Sequence, residues 1–287
     1  MITPMDQREI PLAERRFRNT KLRRGIFLLP ALFTSANLLC GYYAVVAAIH
    51  GAVAIASGSG DFSDFDHAAR AIGLAILFDS LDGRIARLTG TNTEFGVQFD
   101  SLADVVSFGI APAVLAYSWG VRNIPASSGI NVDQLAQFSW ILCLVFLICC
   151  AWRLARFNVQ GMAPGGSKFF VGLPTPAAAG VVASIIHGFK VPLHDYRWSI
   201  AWFLLLAVLG ALMTSAVRYY SFKDIPWTRK QPSVTVIVLL TLIAVVWKFS
   251  EIALVMFACA YAVIGVALHF VRFFRHRFAP RPAGVSQ

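Results

Sequence analysis

The sequence predicts an all-α polytopic membrane protein, a bundle of about eight transmembrane helices. Hydrophobic residues make up 57% of the 287 residues, charged residues only 14%, and the mean hydropathy is +0.64. A soluble globular chain carries about 25% charged residues, so this composition favours a chain surrounded by lipid. Apolar runs of about 20 residues, the length that crosses a bilayer, recur along most of the chain.

Each predicted helix is one of these apolar runs, and short joins near 190–198 and 250–251 leave some boundaries open. A polar, basic segment over 1–24 precedes them, either as an amphipathic surface helix or as a solvated tail. The transmembrane domain covers 25–273, and a basic tail covers 274–287. The predicted spans are 26–49, 68–88, 97–119, 136–157, 174–189, 199–218, 233–249 and 252–273.

The distribution of basic residues predicts the orientation in the membrane. With the N-terminus in the cytoplasm, most of the 25 Lys and Arg residues lie in cytoplasmic ends and loops. The positive-inside rule therefore places both termini there. The net charge of +10 does not indicate nucleic-acid binding, because the basic residues lie at membrane edges and no soluble domain presents them.

Four aspartates in the predicted second and third spans are the strongest functional signal. A charge at the bilayer centre costs about 2.5 kcal/mol or more, so it persists mostly where partners or water compensate it. Asp79 and Asp82 are spaced i, i+3 on one helix, and Asp100 and Asp104 are spaced i, i+4 on the next. The sequence Gly-Thr-Asn at 90–92 breaks the helix between them. We therefore expect a hairpin with its turn at the cytoplasmic surface and its two carboxylate pairs facing each other.

Such a set of carboxylates predicts a metal site. Hard oxygens suit Mg²⁺ or Mn²⁺, and two ions about 4 Å apart can clamp a pyrophosphate. Arg87 adds a cation for phosphate oxygens, and Gly83, Ala86 and Gly96 leave room for a bulky substrate group. A buried ion pair explains a single intramembrane aspartate, but Arg84 and Arg87 are too few for four.

The spacing of these residues resembles the signature of the CDP-alcohol phosphotransferases, D-x-x-D-G-x-x-A-R, eight residues, then G-x-x-x-D-x-x-x-D. That resemblance implies an enzyme of this fold type that attacks a CDP-linked lipid alcohol with a second alcohol and releases CMP. It implies two metal ions held by all four aspartates, with Asp104 also the general base. Gly83, Ala86, Arg87 and Gly96 would contact the CDP moiety, and Arg87 would also stabilise charge on the departing CMP. The matching residues are Asp79, Asp82, Gly83, Ala86, Arg87, Gly96, Asp100 and Asp104.

Further runs look like the bacterial membrane-embedded phosphatidylserine synthases of that family. This likeness implies CDP-diacylglycerol and L-serine as substrates, and phosphatidylserine and CMP as products. It also implies a homodimer in the inner (cytoplasmic) membrane, with the active site of the 25–273 domain on the cytoplasmic side. The runs are LLPALFTSANLLCG (28–41), DSLADVVSFGIAPA (100–113), RLARFN (153–158), FVGLPTPAAAG (170–180) and VRYYSFK (217–223).

An amino-acid acceptor needs a cation for its carboxylate and oxygen acceptors for its ammonium group. Basic residues at the predicted cytoplasmic end of the fourth span and in the next loop can supply the cation. Each arginine can instead be a positive-inside anchor, and Arg156 is favoured for binding because it lies just inside a span end. The candidate serine contacts are Arg156, Arg153, Asn158, Lys168 and Ser107, with Thr175 as a further polar group.

Thr34 and Asn37 are polar residues in an otherwise apolar first helix. They either reach the nucleotide site or form hydrogen bonds to a neighbouring helix, and the sequence leaves both alternatives open.

Three other functions remain as alternatives. A related enzyme could use glycerol-3-phosphate, an inositol phosphate or choline as acceptor. A covalent phosphatidyl-enzyme through Ser80, Ser101 or Ser107 is less favoured, because no histidine in the segment would activate them. A cation-coupled transporter would also place acids in the membrane, but these acids lie near one end and no inverted repeat is evident.

Overall fold

The computed structural model describes residues 12–89, 93–125, 129, 131–161, 169–215 and 218–220, and side chains within 31–85, 93–125, 129, 131–159 and 172–215. Within these residues the regular secondary structure is helical apart from two three-residue strands. One helix is interrupted by a π-helical turn, which we call the π segment. The elements are α1 (Leu12–Ser57), α2 (Ser63–Thr89), α3 (Glu94–Asp104), the π segment (Val105–Ile110), α4 (Ala111–Val121), α5 (Val132–Gly161), β1 (Phe169–Val171), α6 (Thr175–Phe189), α7 (Tyr196–Thr214) and β2 (Arg218–Tyr220).

Helices occur at all of the first six predicted spans, so their helical character is confirmed, although α7 ends at Thr214 and Arg218, the last residue of the sixth predicted span, begins β2. The last two, 233–249 and 252–273, lie outside the described residues, as does the tail 274–287. α1 begins at Leu12 and therefore extends into the predicted leader. The sequence analysis missed the strands β1 and β2, which pair antiparallel with Phe169 opposite Tyr220, because three residues are too few for a periodic pattern.

Four helical segments are long and apolar enough to cross a membrane: Ala31–Ser57, Glu94–Val121, Val132–Val159 and Tyr196–Thr214. α6 is apolar but shorter, and α2 carries charged residues in both of its halves. Large apolar side chains on α5, such as Trp140 and Trp152, are exposed on the protein surface. Lipid would cover them, as expected for a multi-pass membrane protein.

α3 begins with a capped first turn. Thr93 is the N-cap of α3, with extended backbone angles, and its hydroxyl accepts a hydrogen bond from the Gly96 backbone N–H at 3.0 Å. A threonine in this position satisfies one of the free N–H groups of the first helical turn. The cap fixes where α3 begins, and thus the depth at which Asp100 and Asp104 lie.

α1 and α2 pack closely along their length through small residues. Ala44, Ala48 and Ala68 are fully buried, and a Cβ added at Gly51 would lie 2.8 Å from the ring of Phe65. Small residues of this kind let membrane helices approach each other. This packing fixes α1 beside the helix that carries the first aspartate pair.

At the N-terminal end of α2, a side-chain contact joins α2 to α6. The Asp66 carboxylate contacts His187 Nδ1 on α6 and lies 2.7 Å from Arg70 Nη2. His187 and Asp66 are largely buried. This contact lies about 20 Å along α2 from Asp79, at a rise of about 1.5 Å per residue.

Candidate active site

The structure brings the acidic residues of α2 and α3 together. Carboxylate oxygens of Asp79, Asp82 and Asp100 all lie within 4.8 Å of one another. Asp104, one turn beyond Asp100, is 7% exposed and interacts electrostatically with the other three carboxylates. The two pairs therefore form one acidic cluster in the helix bundle.

The acidic cluster has the features of a divalent metal site. Its ligands are hard oxygens, which Mg²⁺ and Mn²⁺ prefer. The Oδ1 atom of Asp100 is buried and, among the described residues, has no hydrogen-bond partner. A buried acceptor without a partner is costly unless a ligand completes it. Asp79, Asp82 and Asp100 can thus hold a metal ion.

α1 supports the acidic cluster from one side. The hydroxyl of Thr34 donates to Asp82 Oδ2 at 2.9 Å, and the amide of Asn37 donates to Asp104 Oδ1 at 3.0 Å. Both polar side chains are buried. These contacts match the interhelical alternative of the sequence analysis, while the nucleotide contact stays a prediction.

α5 places a buried arginine beside the acidic cluster. Arg153 is 8% exposed, its Nη1 donates to Thr175 Oγ1 at 3.3 Å, and its charge acts on Asp79. Asn158, farther along α5, donates to Ser101 Oγ on α3 at 2.8 Å. Arg156 is on the same helix and partly exposed. Three of the candidate serine contacts thus lie on the helix that flanks the acids.

Two of the small residues of the signature are described as well. A Cβ added at Gly83 would meet no other described atom within 4 Å. At Gly96, the described atom that an added Cβ would meet is the Thr93 hydroxyl oxygen, at 3.0 Å. The side chains of Ala86, Arg87 and Lys168 lie outside the described residues.

Ser107 lies against α1, and its contact with serine stays a prediction. Its side chain is fully buried, and its hydroxyl donates to the backbone oxygen of Asn37 at 2.9 Å. The sequence analysis passed over its neighbour Gly41, where an added Cβ would lie 2.3 Å from Ser107 Oγ. The available signal was spacing, because Thr34, Asn37 and Gly41 recur at i, i+3 and i+7, on one face of a helix.

Comparisons with known proteins agree with this geometry. The profile of the CDP-alcohol phosphatidyltransferase family matches residues 27–196, which contain all four aspartates. The chain is 33% identical over 206 residues to the CDP-diacylglycerol–serine O-phosphatidyltransferase of Helicobacter pylori (strain ATCC 700392 / 26695), covering 71% of this chain and 77% of that protein. It is 36% identical over 207 residues to the archaetidylserine synthase of Methanothermobacter thermautotrophicus, covering 70% and 73%.

A third relative is the CDP-diacylglycerol–serine O-phosphatidyltransferase of Methanocaldococcus jannaschii. The identity is 38% over 151 residues, covering 53% of this chain and 62% of that protein. The family profile covers more than half of the chain, and its match begins near the membrane-spanning part of α1 and ends where α7 begins. The acidic signature and its supporting helices are all within that match, and the chain therefore belongs to the CDP-alcohol phosphatidyltransferase family.

Proposed function

We propose that this protein transfers a phosphatidyl group from CDP-diacylglycerol to the hydroxyl of L-serine, giving phosphatidylserine and CMP. The observation that carries the proposal is the convergence of Asp79, Asp82 and Asp100 within 4.8 Å, at the spacing of the family signature. Serine is supported as the acceptor by the names of the relatives. Two of these relatives are named as serine O-phosphatidyltransferases, and one is named as an archaetidylserine synthase.

We further propose that the acidic cluster holds two divalent ions, Mg²⁺ or Mn²⁺, through Asp79, Asp82, Asp100 and Asp104. When bound, such ions would neutralise charge on the pyrophosphate of the substrate and on the departing phosphate. The unpartnered Asp100 Oδ1 and the mutual repulsion of the four carboxylates support this assignment.

Asp104 is the proposed general base. It accepts the proton of the serine hydroxyl as the hydroxyl oxygen forms a bond to the lipid-side phosphorus. The bond from that phosphorus to the CMP oxygen breaks, and CMP leaves with the electron pair. Arg87, one turn after Asp82 and Gly83 in sequence, is proposed to contact the phosphate oxygens and stabilise the leaving group. A positioned base contributes about 10²–10⁴-fold to such a reaction.

The CDP moiety would lie beside the small residues of the signature, Gly83, Ala86 and Gly96. The small size of these residues supports this placement, and no described atom lies within 4 Å of a Cβ added at Gly83. Thr34 and Asn37 lie on the α1 side of the same carboxylates. They are therefore in position to contact a nucleotide held at the acidic cluster, as well as to support the acids.

The serine carboxylate would bind to basic residues of α5 and the loop after it. Arg153 is the strongest of these candidates, because it is buried and its positive charge acts on Asp79. Arg156, Asn158 and Lys168 are proposed to complete the site at its more exposed end. We propose for Ser107 a supporting role, because its hydroxyl already donates to α1.

We also propose that the protein is a homodimer in the inner membrane, with the active site and both termini on the cytoplasmic side. The clustering of basic residues at one set of helix ends supports this orientation. The lipid tails of CDP-diacylglycerol would then remain in the bilayer while its head group reaches the acidic cluster.

An acceptor panel tests the proposed reaction. The protein is purified in detergent and given CDP-diacylglycerol and Mn²⁺, and CMP release is measured with serine, glycerol-3-phosphate, inositol phosphate or choline. We expect release with serine only. Release with another acceptor only would contradict the substrate assignment and keep the chemistry. If the folded protein releases no CMP with any of the four acceptors, the enzymatic function is contradicted.

A further inference from the structure

One face of α1 contacts both halves of the acidic cluster. Thr34 donates to Asp82 of the first pair, and Asn37, one turn later, donates to Asp104 of the second. Gly41, a further turn along, lies directly against Ser107. The spacing of three and then four residues places all three on one face of the helix.

Hydrogen bonds link Ser107 to Asn37 and Asn37 to Asp104. Ser107 lies three residues after Asp104, in the π segment, and its hydroxyl donates to the backbone oxygen of Asn37 at 2.9 Å. The amide of the same Asn37 donates back to Asp104 Oδ1 at 3.0 Å. Asn37 is thus bonded to this stretch of chain twice, once through its backbone and once through its side chain. The position of Ser107 therefore affects the carboxylate of Asp104.

Gly41 makes this contact possible. A Cβ there would lie 2.3 Å from Ser107 Oγ and 2.7 Å from Ser107 Cα. The second distance is to a backbone atom, so a change of side-chain rotamer cannot relieve it. Close helix approach through glycine is typical of membrane proteins. Any larger residue at 41 would move α1 away from the π segment.

The π segment begins immediately after Asp104. The backbone N–H of Ala111 bonds to the oxygen of Val106, five residues back, in place of the usual four. Single π turns inside α-helices occur frequently at functional sites. The wider turn lies where the chain contacts Gly41. The helix therefore departs from α geometry between Asp104 and Ser107, which is the residue that contacts α1.

We propose that Gly41 and Ser107 are positioning residues for Asp104. They hold the π segment against α1, so that the Asn37 amide can donate a hydrogen bond to Asp104 Oδ1. This hydrogen bond directs the other carboxylate oxygen of Asp104 toward the acidic cluster. This inference rests on the proposed function, in which Asp104 is a metal ligand and the general base. Replacement of a residue that holds a metal ligand in place typically lowers metal affinity or activity by about 10–100-fold.

The test compares two variants with two matched controls. Ser107→Ala removes the hydroxyl, and its control is Ser199→Ala, where a buried hydroxyl donates to the Gly120 oxygen at 2.6 Å, between α7 and α4. Gly41→Ala adds the clashing Cβ, and its control is Gly73→Ala, where an added Cβ meets no described atom within 4 Å. Both controls lie outside the proposed catalytic machinery.

Three quantities are measured on the full chain in detergent. They are the midpoint of thermal unfolding, Mn²⁺ binding by electron paramagnetic resonance without substrates, and kcat and KM for both substrates. For Ser107→Ala and Gly41→Ala we expect Mn²⁺ affinity or kcat to fall by about 10–100-fold, with little change in the KM for serine. Ser199→Ala should lower only the unfolding midpoint, and Gly73→Ala should change none of these quantities.

Other outcomes would overturn the inference. If Ser107→Ala lowers the unfolding midpoint as Ser199→Ala does but keeps wild-type kcat and Mn²⁺ affinity, its role is packing. A rise in the KM for serine alone would make Ser107 a substrate contact. If Gly41→Ala does not fold, Ser107→Ala decides. If the wild-type protein releases no CMP with any acceptor, the proposed function fails, and the Mn²⁺ affinities still decide the positioning role.

Discussion

Arg153 on α5 and Thr175 at the start of α6 are joined by a buried hydrogen bond of 3.3 Å from Nη1 to Oγ1, and the Arg153 charge acts on Asp79. A buried cation beside four carboxylates lowers their mutual repulsion, and it also offers an anchor for an anionic substrate group. The threonine fixes the direction in which the guanidinium points. This pair connects the metal site proposed here with the site proposed for serine.

Replacing Arg153 by lysine keeps the charge but removes the planar group that reaches Thr175. Because a hydrogen bond to a charged group contributes about 1.5–3 kcal/mol, we expect kcat/KM for serine to fall by about 10–100-fold. Steady-state CMP release at varied serine checks this. Ser184→Ala, on α6, is the control, because that hydroxyl donates to the Val181 oxygen of the same helix at 3.0 Å. Wild-type kinetics in Arg153→Lys would contradict the role.

Arg156→Ala should raise the KM for serine more than the KM for CDP-diacylglycerol. Arg156 is a partly exposed cation on α5 that can bind the serine carboxylate, and it is not one of the signature residues of α2 and α3 that are proposed to bind CDP. Varying each substrate in turn measures both constants. Equal effects on both would make Arg156 an anchor at the membrane surface.

Asp104→Asn should abolish turnover, with a loss of about 10²-fold or more, because an amide cannot accept the hydroxyl proton. Its shape is preserved, so the unfolding midpoint should stay close to that of the wild type. CMP release in single-turnover and steady-state assays measures the effect. Turnover at the wild-type rate would remove Asp104 as the base.

Removal of divalent ions with a chelator should stop CMP release, and added Mg²⁺ or Mn²⁺ should restore it. Four clustered carboxylates without cations repel one another, so the chelated protein should also unfold at a lower temperature. The matched control is Asp79→Asn/Asp100→Asn, which removes two charges and should reduce this metal-dependent stabilisation. Full activity after exhaustive chelation would contradict the metal assignment.

His187→Phe should destabilise the protein by about 1–3 kcal/mol, because the buried Asp66 carboxylate loses one of its partners. CMP release by the folded variant should be unchanged, since this contact lies about 20 Å along α2 from Asp79. Chemical or thermal unfolding measures the loss. The control is His194→Phe, because the His194 side chain is exposed, and this change should affect the free energy of unfolding little. A loss of activity without a loss of stability would contradict a purely structural role.

The sequence predicted the helices and the acidic cluster well for a physical reason. Long apolar runs leave a helix as the main way to satisfy backbone hydrogen bonds in lipid, and spacings of three and four residues predict a shared helix face. The break between the two acidic helices was predicted from Gly-Thr-Asn at 90–92, and α2 and α3 are separate helices in the structure.

Contacts between helices were harder to predict. Nothing local in the sequence shows that Ser107 faces α1, since the π turn after Asp104 changes which side chains point there. The contact of Gly41 with Ser107 was not predicted either, although the spacing of Gly41 from Thr34 and Asn37 was informative. The burial of Arg153 likewise depends on α6 packing beside α5, and helix pairing is not encoded in the pattern of a single helix.

The most direct measurement is the anomalous diffraction of crystals grown with Mn²⁺. We predict anomalous peaks between α2 and α3, each within about 2.0–2.3 Å of carboxylate oxygens from Asp79, Asp82, Asp100 or Asp104. Crystals in which these side chains point apart, with no peak between them at saturating Mn²⁺, would contradict the proposed metal-assisted transfer.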